Sequence, residues 1–197
     1  MIKELETYIP SNLVLYVRSL VENEAIDFKV VNQRSTKHGD FRYNNDRYTI
    51  TINKTSNKYR FLLTLIHELA HFFVFKNNRL AKPHGLLWKQ KFQSLLNPIL
   101  NKEYFPINLL SELIDHMKNP KSSFCYDINL SKKLDLYDNT NDIVYLDQLN
   151  DGEIFYYRNL GKFKKINKRR KRYLCLRIDN DKKYLFLGST KVKLWKS

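Results

Sequence analysis

Residues 57–77 read Asn57-Lys58-Tyr59-Arg60-Phe61-Leu62-Leu63-Thr64-Leu65-Ile66-His67-Glu68-Leu69-Ala70-His71-Phe72-Phe73-Val74-Phe75-Lys76-Asn77. Wound at 3.6 residues per turn, this stretch is apolar on nearly every side, which predicts a long helix buried in a core. Inside it stands H-E-x-x-H, from His67 to His71. The composition would produce that pattern by chance in roughly half a percent of such chains. Residues four apart on a helix share a face and lie about 6 Å apart along the axis. Two imidazoles can therefore close on one zinc ion with bonds of about 2.0–2.1 Å. Glu68 lies about 100° further round, beside the ion rather than on it, where it can take a proton from water. Without a metal, two histidines and a glutamate among Phe, Leu and Ile would be costly to bury.

A third ligand is required. His84, in Pro83-His84-Gly85-Leu86-Leu87-Trp88, is the best candidate because it falls at the start of the next helix, where Gly85 permits close backbone approach. Glu112 is an alternative and Glu103 a poorer one. A continuation through position 77 fails, because Asn77 stands there rather than histidine. The site is thus read as metal on His67, His71 and His84, with Glu68 as base. His38 and His116 lack metal spacing and read as a strand-end and a surface-helix residue.

Working outward, residues 2–23 read as helical, with a helix start at Pro10-Ser11-Asn12. Three strands follow at Ile26–Asn32, His38–Tyr43 and Arg47–Ile52, with a turn at Asn44-Asn45-Asp46. Helices are expected over 85–96 and 107–117. A boundary is expected between Tyr137 and Asp147, in a polar stretch containing Asp138-Asn139-Thr140-Asn141-Asp142. From about Leu146 the pattern changes to short strands: Glu153–Arg158, Lys162–Asn167, Tyr173–Ile178, Lys183–Leu187 and Lys191–Trp195. These predict a small antiparallel barrel or curled sheet. The fold class is α+β: an H-E-x-x-H helix packed on a small three-stranded sheet in residues 1–140, then a basic β-rich module in 147–197. Arg47–Ile52 runs into the active-site helix, where an edge strand could pair with an extended peptide; a core-facing strand is equally compatible.

Together, His67-Glu68-x-x-His71 and His84-Gly85-x-x-Trp88, preceded by Gly39-Asp40-Phe41 and Ile50-Thr51-Ile52-Asn53, resemble the SprT-like family of zincin metalloproteases, which includes the Spartan DNA–protein crosslink proteases. The resemblance covers about residues 5–120. It implies one zinc ion on His67, His71 and His84, Glu68 as general base, a shallow open cleft, and cleavage of proteins bound to nucleic acid. Many members carry a C-terminal zinc ribbon with paired CxxC. Here the only cysteines are Cys125 and Cys175. They read as buried apolar thiols, and the β-rich tail would replace the ribbon as the nucleic-acid module.

The charge is distributed to match. The 197 residues hold 35 Lys+Arg and 20 Asp+Glu, a formal net charge of +15. Residues 1–161 carry +3 of it and residues 162–197 carry +12, centred on Lys168-Arg169-Arg170-Lys171-Arg172. A localised positive face is the footprint of a polyanion partner, with DNA favoured over RNA. Phe163, Tyr173, Tyr184 and Trp195 could stack on bases. The composition excludes collagen-like and disordered chains. The start of the chain lacks a signal-peptide pattern and no apolar run is long enough to span a membrane, so a cytoplasmic protein is expected. The alternative to a protease is a non-proteolytic, zinc-containing DNA- or RNA-binding protein. An intact Glu68 and only three good ligands count against it, since structural zinc is closed by four.

Overall fold

The structure is a computed structural model that describes residues 2–34, 36–138 and 143–195. The chain divides into two compact units, residues 1–139 and 140–197. Of the polar stretch 138–142 at the expected boundary, residues 139–142 lie outside the described ones.

The first unit opens with helices α1 (Ile2–Glu6) and α2 (Val14–Val21), the second following a 3-10 turn at Ser11–Leu13. Strands β1 (Ile26–Val31), β2 (Gly39–Asn44) and β3 (Arg47–Asn53) form a sheet in the order β1-β3-β2. β2 and β3 are antiparallel across Asn45-Asp46, both with positive φ (47° and 58°), the conformation a two-residue hairpin turn requires. β1 runs parallel to β3. The strand leading into the H-E-x-x-H helix is therefore central, bonded on both sides, and not an edge. The free edge on the site's side belongs to β2.

Helix α3 (Lys58–Asn77) lies against this sheet. The Asn57 side chain caps it by accepting from the Arg60 N–H at 2.9 Å. Phe61, Leu62, Leu65, Ile66, Leu69 and Phe72 are fully buried, as an all-round apolar helix demands. Phe72 meets Phe41 of β2 and Tyr48 of β3 edge-on. Helices α4 (Leu86–Leu96), α5 (Ile107–Lys118) and α6 (Ile128–Asp135) complete the unit. His116 on α5 is buried, against the expectation of a surface residue: it shares the inward stripe of Leu109, Leu113 and Met117, and its Nδ1 is 2.8 Å from Asp127 Oδ2.

The second unit is a six-stranded antiparallel sheet of β4 (Ile143–Tyr145), β5 (Ile154–Tyr156), β6 (Lys162–Arg169), β7 (Arg172–Arg177), β8 (Lys183–Leu187) and β9 (Lys191–Leu194). Their order is β4-β9-β5-β6-β7-β8. It is an open sheet among the described residues, not a closed barrel. The unit takes in residues before 147 because β4 pairs with β9 at the far end of the chain, with Ile143 opposite Lys193. Its own core is Leu146, Leu149, Phe155, Phe163, Cys175 and Val192. Cys175 is a buried thiol, pushed up to about 11 chiefly by burial. The Cys125 side chain lies outside the described residues. Phe163 is a core residue, fully buried, and cannot stack on a base. No helix among the described residues is long and apolar enough to cross a membrane.

Candidate metal centre

α3 presents His67 and His71 from successive turns, and the loop before α4 brings His84 to them. The three Nε2 atoms form a near-equilateral triangle: His67–His84 3.1 Å, His71–His67 3.3 Å and His71–His84 3.0 Å. His84 is held in the left-handed region at φ 57°, which is uncommon outside glycine. Gly85 follows because a Cβ there would lie 2.9 Å from the Lys82 carbonyl oxygen. Trp88 on α4 backs the cluster, its ring centroid 4.6, 5.4 and 4.8 Å from those of His67, His71 and His84.

The triangle fits a cation on chemical grounds. A ring nitrogen either carries a hydrogen and donates, or offers a lone pair and accepts. With three nitrogens in mutual contact, at least two must be alike and repel. All three histidines are held below their usual pKa, first of all by burial, and His71 falls to about 4. They are therefore neutral, with lone pairs available near pH 7. Four tetrahedral nitrogen bonds of about 2.0–2.1 Å place neighbouring ligand atoms about 3.3 Å apart, and the observed edges are within a few tenths of that. These histidines could hold a metal ion. Neither Glu112 nor Glu103 joins them.

Glu68 reaches toward β2, where the Phe41 backbone N–H donates to its carboxylate. It lies with the three histidines on one cavity of about 510 Å³, whose walls also include Asp40, Lys37, Arg34 and Phe124. Burial first, then the charge of Asp40, raises its carboxyl to about 8; a hydrogen bond from the Phe41 backbone and the charges of Arg34 and Lys37 oppose the rise. The sequence reading missed two features here. Gly39 passes so close to Glu68 that no side chain fits between them. Phe124, from a 3-10 turn after α5, closes the wall beside His67 at a ring separation of 6.2 Å. Gly39 had a signal, a glycine inside a strand pattern; Phe124 had none. His38 also lines the cavity but does not join the triangle. The run Lys168–Arg172 belongs to the second unit, at the β6–β7 hairpin.

The fold and site define a class: an α+β protein in which one buried helix and the loop after it offer three imidazoles to a metal, with a glutamate alongside. The SprT-like family profile matches residues 8–109, and the chain belongs to the SprT-like family. No curated protein and no solved structure matches the chain.

Proposed function

We propose that the protein is a zinc-dependent endopeptidase of the SprT-like kind that cleaves proteins associated with nucleic acid, as in DNA–protein crosslinks. The observation that carries this is Glu68 beside the three-histidine triangle on one open cavity. His67, His71 and His84 would hold a single zinc ion. When bound, zinc supplies Lewis acidity, drawing electron density from a peptide carbonyl and from water.

The chain's own residues do the rest. Glu68 is buried beside a like charge, Asp40, so its carboxyl sits near neutrality rather than in the ordinary acid range. Such a group both takes and returns a proton at working pH. It accepts the proton of the water that adds to the scissile carbonyl and delivers it to the departing amine nitrogen. The outer edge of β2 lines the cavity through Gly39, Asp40 and Phe41; the Phe41 N–H is engaged by Glu68, and the other outward backbone groups can align an extended polypeptide. The apolar rings of Trp88 and Phe124 line the same cavity and limit water there. The basic second unit supplies the attraction to nucleic acid.

The test is cleavage of casein and of a DNA-bound protein, with and without single-stranded DNA, by the wild type and Glu68→Gln, with metal content measured on both. The variant is expected to keep one zinc per chain and lose at least a thousandfold in rate. Equal cleavage by both proteins, or no cleavage by a zinc-loaded wild type on any substrate, would sink the reading.

A further inference from the structure

The strand registers of the second unit sort its cations between two faces. Cross-strand partners share a face. Tyr156 stands opposite Lys162 on one side and Lys193 on the other. Lys164 stands opposite Ile154 and Leu176, and Leu176 opposite Lys183. Arg172 stands opposite Arg169 and Leu187. These residues lie on the face away from Phe155, Phe163 and Cys175, which fill the core on the other side. None of the six strands contains an aspartate or a glutamate. None of these six Lys and Arg side chains is held in an ion pair among the described residues. On the core side, by contrast, Lys165 donates to the Leu149 carbonyl and lies near Asp151, and Arg177 is paired with Asp179.

The open face also carries rings. The Lys162 ammonium lies 4.8 Å from the Trp195 ring centroid and 5.5 Å from that of Tyr156. Tyr156 is 36% exposed and Trp195 38% exposed. We propose that this face, rather than the Lys168–Arg172 hairpin alone, is a binding surface for single-stranded nucleic acid, with Lys162, Lys164, Lys183 and Lys193 on phosphates and Tyr156 and Trp195 as stacking platforms. The proposal rests on the reading that the second unit associates with nucleic acid and adds where and in what form. Unpaired bases are the form that fits, because a π-face must be free to stack on an exposed ring. Duplex readers instead insert a helix or ribbon into a groove, and most of these cations stand on a broad sheet face. An anionic bilayer fits less well. The exposed Leu185 and Leu187 are interleaved with cations, not gathered into an apolar face that could sink below headgroups.

The experiment uses the full chain and fluorescence anisotropy of a labelled oligothymidine of about 20 nucleotides, between about 50 and 200 mM salt. One variant combines Lys164→Ala, Lys183→Ala and Lys193→Ala. A second combines Lys168→Ala, Arg170→Ala and Lys171→Ala at the hairpin tip. Tyr156→Ala is the third. The face variant is expected to lose at least tenfold in affinity, and its log–log salt slope to fall by about 2, since each phosphate contact on a single strand contributes about 0.7. Tyr156→Ala is expected to lose about tenfold with the slope unchanged. The tip variant should lose less than the face variant. Unchanged thermal melting checks that these exposed positions leave the fold intact. If the face variant binds within twofold of wild type while the tip variant loses affinity, the surface is wrong. Tighter wild-type binding to a blunt duplex or to phosphatidylserine vesicles than to the oligothymidine overturns the ligand class. A wild type that binds no nucleic acid at any salt ends the underlying reading as well.

Discussion

A methyl group at Gly39 would lie 2.6 Å from Glu68 Oε1, 2.7 Å from Thr64 Cγ2 and 2.8 Å from Glu68 Cγ. The last contact is to the side chain's stem, so Glu68 cannot merely swing its tip aside. Gly39→Ala is expected to displace the carboxylate and lower kcat about a hundredfold, the scale of an ångström of misplacement, while metal content stays at one ion per chain. Steady-state kinetics beside metal analysis checks this; full activity would mean that Glu68 has room the structure does not give it. The same carboxyl makes a pH prediction for the metal-free chain. Its folded pKa of about 8 lies above the unfolded value, so between the two the folded state binds the extra proton and stability falls as pH rises. His67 and His71 act in the opposite sense. Their folded pKa values are depressed, as are those of His84 and His116, so their contribution rises with pH as it passes through the ordinary histidine value of about 6.5. Comparison with Glu68→Gln cancels the histidine contribution, and relative to that variant the metal-free chain should lose about 1.5 kcal/mol between about pH 6.5 and 8. Urea unfolding of both proteins after chelation measures it, and an identical pH dependence in the two would mean that Glu68 does not hold its proton in the folded chain.

At the scale of elements, the start of α3 is fastened to the end of α6. Asn57 Nδ2 donates to the Leu134 carbonyl at 2.7 Å and to Asp138 Oδ1 at 2.7 Å, while Arg60 pairs with Asp135 at 2.5 Å. Arg60 is almost buried, so truncating it strands acidic partners in a poorly solvated place. Arg60→Ala is expected to cost about 3 kcal/mol in thermal or chemical unfolding, and Asn57→Ala about 1–2. Neither should alter zinc stoichiometry, because both side chains sit more than a turn before His67. The helices and strands of the first unit were legible because their signals are local: the all-round apolar run for α3, β-branched residues for β3, and Asn-Asp for the hairpin. Strand order was not. β3 becomes central because β1 returns parallel to it, and nothing within residues 47–53 records which neighbours will bond to either edge. His116 could have been placed inward from its spacing to Leu109, Leu113 and Met117, had the period been weighed above its polarity.

The whole molecule divides chemistry between two cores. The first unit holds every residue of the histidine triangle and Glu68, and its buried cluster runs from Leu5 to Leu134. Residues 1–139 expressed alone are expected to bind one zinc ion with the affinity of the full chain; a several-fold loss in metal titration would mean that the tail completes the site. The sequence alone determined that there is a long apolar helix, that His67, His71 and Glu68 belong to it at H-E-x-x-H spacing, and that positive charge is concentrated after residue 161. Those follow from helical periodicity and composition, which act over a few residues. Only the tertiary structure decided that His84 closes the triangle rather than Glu112, that Gly39 makes room for Glu68, and that β2 is the edge at the cavity. It also decided which lysines stand together on an open face. Each depends on segments far apart in the chain being brought within a few ångströms, and that proximity comes from packing and strand register, which no local pattern encodes.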